Sequence, residues 1–119
     1  MAAKDELGRV GERVAAEYLV EAGYRILGQN WRCEHGEIDI IAQKERVTAF
    51  VEVKTRSSLA FGHPFEAITI AKLARLRRLV GAWCEHHGVP EGRIRIDAIA
   101  VIAERGEVAQ LEHLEDVSR

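Results

Sequence analysis

Three charged residues stand where a β-sheet ordinarily holds apolar ones. In Gly36 to Thr55, GEIDIIAQKERVTAFVEVKT, Asp39 sits among isoleucines, and Glu52 sits between valines with Lys54 two residues on. A carboxylate buried alone costs roughly several kcal/mol, so it calls for a counter-charge or a metal. An Asp on one strand and Glu-x-Lys on the next can do hydrolytic chemistry. The carboxylates would hold a divalent cation that polarises a phosphoryl oxygen and acidifies a bound water. The lysine, on the same face as Glu52, would orient that water or neutralise charge developing on the phosphate.

The pattern also says how these groups meet. Ile38, Ile40 and Ile41 mark one strand, and Val47 with Ala49 to Val53 marks a second, joined at Lys44-Glu45-Arg46. A tight hairpin about Glu45 and Arg46 sets Asp39 opposite Glu52 and Glu37 opposite Lys54. Alternation then puts these four on one face and Ile38, Ile40, Val51 and Val53 on the other. Opposed carboxylates start roughly 5 Å apart at Cβ and repel unless a cation lies between them. An all-oxygen site with few protein ligands suits Mg²⁺, or Mn²⁺ in its place. The plainer alternative is a Lys54–Glu37 salt bridge with Asp39 and Glu52 solvated.

The elements around the hairpin follow from periodicity. Asp5 caps a helix running to about Ala22, stopped by Gly23, with Leu7, Val10, Val14, Tyr18 and Ala22 as its buried stripe. Glu12 lies beside that stripe, between Gly8 and Ala16, whose small side chains let another element come close. Tyr24 to Cys33 reads as a strand anchored by Trp31. After the hairpin, Arg56 to His63 is a loop and Pro64 opens a helix, broken near Thr69, that runs to about His87 and ends at Gly88. Its stripe is Phe65, Leu73, Leu76, Val80 and Trp83. Arg93 to Ile102 and Gly106 to Leu114 complete an order α-β-β-β-α-β-β, a mixed sheet with helices packed on it.

The second helix holds four basic residues and no acidic one between Lys72 and Arg78. Arg75 and Arg78 turn outward and can dock phosphates, as can Arg56 directly after the Glu-x-Lys pair; a solvated face is the plainer reading of the run. Lys72 falls within the apolar arc, so it either joins the carboxylate face or snorkels its head to water. Cys33 and His35 with Cys84 and His86 or His87 imitate a zinc site, but loosely spaced. Arg95 and Asp97 read as a structural ion pair.

The 119 residues make one domain, 1–119, with a modest core, and 47% hydrophobic with 30% charged residues is the balance of an ordinary soluble protein. Without an apolar run of roughly 20 residues or a signal-peptide core, the expectation is a cytoplasmic protein with no membrane contact. Two cysteines make no disulfide framework. Net charge is −2, so any nucleic-acid surface is a local patch.

The Asp and Glu-x-Lys set resembles the PD-(D/E)XK nuclease superfamily, and its order around the first helix is similar to archaeal Holliday junction resolvases. More specifically, GRVGERVAAEYL, NWRCEHGEIDIIA, FVEVKTR and FGHPFEAIT resemble the YraN family, small bacterial proteins with a restriction-endonuclease-like fold, over nearly the whole chain. The resemblance implies an α/β fold of that kind, with Asp39, Glu52 and Lys54 as the core triad and Glu12 as a carboxylate brought to the metal. It implies Lys72 as a further polar neighbour. Ile38-Asp39 stands where the superfamily has Pro-Asp. The expected activity is Mg²⁺-dependent phosphodiester hydrolysis on DNA, of branched or other non-B structure, by a chain that can pair as a homodimer. The alternatives are a nucleic-acid-binding module that cleaves little, and a scaffold whose acidic face binds a protein.

Overall fold

The computed structural model describes residues 5–60, 62–105 and 107–117. The first helix, α1, spans Glu6–Glu21, and Asp5 caps it by accepting from the Gly8 N–H at 2.7 Å. Gly23, at φ 98°, turns the chain into β1, Arg25–Cys33. β2, Gly36–Lys44, and β3, Val47–Arg56, form the hairpin, with Glu45 at φ 54° in the left-handed conformation a two-residue turn needs. Their register pairs Lys44 with Val47 and Ile40 with Val51, as the sequence predicts. A short 3₁₀ turn, Pro64–Ala67, precedes α2, Ile70–His87, whose cap Thr69 accepts from the Lys72 N–H at 3.2 Å. The break near Thr69 is therefore real, and Gly88, at φ 88°, ends α2.

β4, Arg93–Glu104, runs parallel to β3 after the α2 crossover, and β5, Glu107–Leu114, turns back antiparallel. The five strands lie in chain order, β1-β2-β3-β4-β5. The expected start of β5 at Gly106 lies outside the described residues, as does Phe61 of the loop before the 3₁₀ turn. No helix among the described residues is long and apolar enough to cross a membrane.

Both faces of the sheet are covered. One core joins α1 to Ile40, Ala42, Ala49, Val51, Val53, Ile99 and Val101. The other joins Leu76, Leu79 and Trp83 of α2 to Ile38, Ile41, Phe50 and Ile96. This corrects the expectation that Ile38 shares a face with Ile40. The β2–β3 partners stop at Ile40 and Val51, while β2 stays paired to β1 through Trp31↔Ile38 and Arg32↔Glu37. Past Ile40, Ile38 follows β1, and joins Trp31 and Cys33 on the α2 side.

The α1 stripe is also corrected. Its buried residues are Gly11, Glu12, Ala15 and Leu19, with Leu7, Val14, Tyr18 and Ala22 flanking them as partly buried side chains. The centre of that face is small because α1 comes very close to β3. A Cβ at Gly11 would collide with the Thr55 side chain.

Candidate metal and phosphate site

That close approach puts Glu12, one residue after Gly11, beside the end of the β2–β3 ladder. Glu12, Glu37 and Asp39 each offer a carboxylate oxygen, and the three lie within 4.8 Å of one another. Glu12 and Asp39 are each only 7% exposed. Where β2 leaves β3, the Asp39 carboxylate accepts the Val53 N–H at 2.7 Å, taking the place of a ladder carbonyl.

Glu37 does not face Lys54, which corrects both the expected opposition and the plain salt-bridge alternative. It accepts from Arg32 Nε at 2.8 Å, because its paired neighbour is Arg32 on β1. Glu52 lies against Asp39. Burial first, then the Asp39 charge and a hydrogen bond shared with it, raise the Glu52 carboxyl to about 7, while Lys54 and Arg75 pull it back. A proton held between two carboxylates is what such a pair adopts when no cation neutralises it.

Three cations, Lys54, Lys72 and Arg75, act on Glu52. Lys72 reaches Lys54, and burial and then the Lys54 ammonium lower its pKa, with Glu52 opposing the shift. Arg75 corrects the sequence reading, for it does not turn outward. Its Cδ lies 3.8 Å from where a Gly36 Cβ would stand, and its charge acts on Glu52. Its Nε is buried, with no hydrogen-bond partner among the described residues. The inward face of α2 is centred on Leu76, Leu79 and Trp83, so Lys72 and Arg75 both border it at helical spacing. Arg78 is exposed, as expected.

Two clefts open at the cluster, and Glu12 belongs to both. A cleft of about 240 Å³ is bordered by Glu12, Asp39, Glu52, Lys54 and Arg56. A cleft of about 640 Å³ between α1 and β1 is bordered by Glu12, Glu37, Arg9, Arg13 and Arg32. Sequence reasoning passed over these three arginines, although Arg9 lies at helical spacing from both Glu12 and Arg13. Cys33, His35, Cys84, His86 and His87 do not gather three metal-ligand atoms at one point among the described residues. Cys33 Sγ accepts the His35 N–H at 3.4 Å.

The expected Arg95–Asp97 pair is present, and larger than expected. Arg95 binds both Asp97 oxygens at 2.8 Å and Tyr24 at 2.7 Å. His113 Nε2 donates to Asp97 at 2.8 Å, and the Asp116 N–H donates at 3.0 Å. With Nε2 as donor, His113 Nδ1 accepts the Tyr18 hydroxyl at 2.9 Å. Burial pushes Asp97 up, but these hydrogen bonds outweigh it and hold it below the usual carboxylate range.

A five-stranded mixed sheet with a helix on each face and acidic residues where two strands part belongs to the restriction-endonuclease-like α/β class. A solved repair endonuclease from Pyrococcus abyssi has this fold in common with the chain, at a TM-score of 0.51 and 16% identity over 89% of this chain. The match spans 42% of that larger protein. Residues 11–101 match the profile of the uncharacterised protein family UPF0102, the YraN family, and the chain belongs to it. A UPF0102 protein of Renibacterium salmoninarum is 53% identical over 114 residues, 96% of this chain and 97% of the relative. One of Beutenbergia cavernae is 50% identical over 117 residues, covering 98% of this chain and 99% of the relative.

Proposed function

We propose that this chain is a divalent-metal-dependent nuclease acting on DNA. The observation that carries the reading is the meeting of Glu12, Glu37 and Asp39 within 4.8 Å beside Glu52 and two lysines. The donors are all carboxylate oxygens, the set that hard cations such as Mg²⁺ and Mn²⁺ take. The proton that Glu52 holds near pH 7 marks negative charge in excess, which fits a cation. Glu12, Glu37 and Asp39 would hold it, with Glu52, hydrogen-bonded to Asp39, beside them. Bound there, it would polarise the phosphoryl oxygen and acidify a water.

The residues of the chain do the rest. Lys54 and Lys72 present ammonium groups where charge grows as the new P–O bond forms and the bond to the leaving ester oxygen breaks. Arg56 on one side of Glu12, and Arg9, Arg13 and Arg32 on the other, give neighbouring phosphates a charged path across the carboxylates. The fold that the chain has in common with a repair endonuclease supports this reading.

A cleavage screen over junction, flap, single-stranded and duplex DNA tests it, with Mg²⁺ or Mn²⁺ and with Asp39→Asn as control. Metal-dependent cleavage that Asp39→Asn removes is the expected result. Binding without cleavage on every substrate would replace the proposal with a silent nucleic-acid-binding module.

A further inference from the structure

A chain of aromatic rings leads from the core to the surface at the far end of α2. Phe50 meets Trp83 edge-on at 5.3 Å between centroids, and His87 lies flat on Trp83 at 4.5 Å and 13°. Trp31 of β1 stands nearly perpendicular to both His86, at 5.6 Å, and His87, at 6.1 Å. Trp83 is buried, Trp31 is half-buried, and the two histidines are exposed. The histidine rings are fixed. His86 Nδ1 donates to the Ala82 carbonyl at 2.9 Å and His87 Nδ1 to the Trp83 carbonyl at 3.0 Å. Each neutral ring therefore keeps Nε2 as an acceptor.

We infer that Trp31, His86 and His87 form a stacking corner for an unpaired nucleobase, so that the substrate presents single-stranded nucleic acid next to the scissile phosphate. The inference rests on the nuclease reading and deepens it. A flat base can stack on one ring and meet another edge-on, the combination these rings already use among themselves. Two placements connect the corner with the carboxylates. Trp31 pairs with Ile38, and the next pair along is Arg32 with Glu37. On α2, Arg75 precedes His86 by about three turns on nearly the same line, ~16 Å at 1.5 Å per residue, a span of a few nucleotides. Arg75 beside Glu52 supplies positive charge on that line, and exposed Arg78, about 60° round the helix from it, supplies it to one side. Aromatic rings interleaved with arginines beside a phosphate site are how proteins hold single strands. A continuous duplex keeps its bases stacked on one another and cannot use the corner.

The test compares binding of an oligo(dT) strand and a blunt duplex of equal length, in EDTA so that nothing is cut. Trp31→Ala and His86→Ala should each weaken the single strand, by roughly 5- to 100-fold for the tryptophan, and leave the duplex within about twofold. Trp31→Phe should restore most of the loss. It also serves if Trp31→Ala folds poorly, for it then binds like wild type while His86→Ala still discriminates. In a Trp83→Phe background, Trp31 fluorescence should be quenched by oligo(dT) and not by duplex. Equal losses on both ligands, or none on the single strand in folded variants, would overturn the corner and leave the nuclease reading standing if wild type cleaves. A wild type that neither binds nor cleaves any nucleic acid would overturn both.

Discussion

Asp39 on β2 and Asp97 on β4 are buried in one sheet, at 7% and 0% exposure, and their surroundings are opposite. Asp97 receives a bidentate arginine, an imidazole N–H and a backbone N–H, and Arg95 is itself held by Tyr24. Asp39 receives the Val53 N–H, shares a hydrogen bond with Glu52, and stands among Glu12, Glu37 and Glu52. The first arrangement is what a buried carboxylate needs to be structural: every strong acceptor site is met inside the protein. The second gathers like charges, which supports the cation proposed to join them. Local rules broken in one place and kept in another of the same sheet support the proposal that the first place is the functional one.

Substituting the two aspartates should separate these roles. Asp39→Asn removes one charge from a crowded group with hardly any change of shape. It should lower cleavage by about 10³-fold, roughly 4 kcal/mol on the barrier, while metal-free stability holds or rises. It should also abolish the rise in melting temperature that Mg²⁺ or Mn²⁺ gives to wild type by binding the native state. Asp97→Ala should do the reverse. Stranding Arg95 among buried groups costs about 3–5 kcal/mol, with activity per folded molecule near normal. Urea melts and single-turnover cleavage on both variants decide the matter. An Asp39→Asn protein as unstable as Asp97→Ala would end the distinction.

The next effect tests how Glu12 reaches Asp39. At Gly11 an added methyl runs into Thr55, so Gly11→Ala must push α1 away from β3. Overpacking of this kind costs about 1–3 kcal/mol. A displacement of ~1 Å at Glu12 can cost on the order of 10²-fold in rate. Thr55→Ala on the Gly11→Ala background should recover part of the activity. Activity that falls with no recovery, but with the metal-induced stabilisation intact, would remove Glu12 from the cluster.

How much of this was legible without coordinates depends on range. The hairpin register as far as Ile40 and Val51 follows from alternation and a two-residue turn, which are local, and Asp39 and Glu52, the next residue on each strand, lie against one another. The caps at Asp5 and Thr69 and the stops at Gly23 and Gly88 are local too. The point where β2 leaves β3 is not local, and it decides that Glu37 goes to Arg32 and Ile38 to the α2 side. Likewise, a hydrophobic stripe weights large side chains, whereas the centre of the α1 face is Gly11 and Ala15, chosen for smallness. The Asp97 network draws on α1, β4, β5 and the turn into β1. Three separate stretches of chain, 18–24, 95–97 and 113–116, meet there, and only tertiary structure shows that His113 and Tyr18 belong to it.

Acidity should act on the two regions with opposite signs. Glu52 has its carboxyl raised to about 7 against 4.5, so between those values the folded state holds a proton that the unfolded chain has released. Metal-free stability therefore falls as pH rises through that window. Saturating Mg²⁺ should cancel the fall, and Glu52→Gln should flatten it. Asp97 is lowered below 3.8, so its contribution is present above that value and disappears as pH drops beneath it. Denaturant melts from pH 3 to 8 read both limbs. A metal-free stability that climbs from pH 5 to 7 would contradict the crowding assigned to Glu52.

The smallest effect concerns the arginines around each aspartate. Arg13 borders the larger cleft beside Glu12 and meets Glu17 only at 4.0 Å, with both side chains about two-thirds exposed, so little holds it from a phosphate. Arg93, near Asp97, is bound to Asp116 at 2.6 Å and lines neither cleft. Arg78 is exposed on α2, between Arg75 and His86 along the helix and to one side of the line joining them. Removing an arginine that neutralises one phosphate should flatten the slope of log K against log salt by roughly 0.9 for duplex and 0.7 for single strands. Arg13→Ala should do so for either ligand, because phosphates near the carboxylates are needed by both. Arg78→Ala should do so for single strands alone, if those follow α2 to the aromatic corner. Arg93→Ala should change neither slope, since the region around Asp97 has its charges already matched. A flattened slope in Arg93→Ala would bring nucleic acid to that end of the sheet and erase the contrast between the two aspartates.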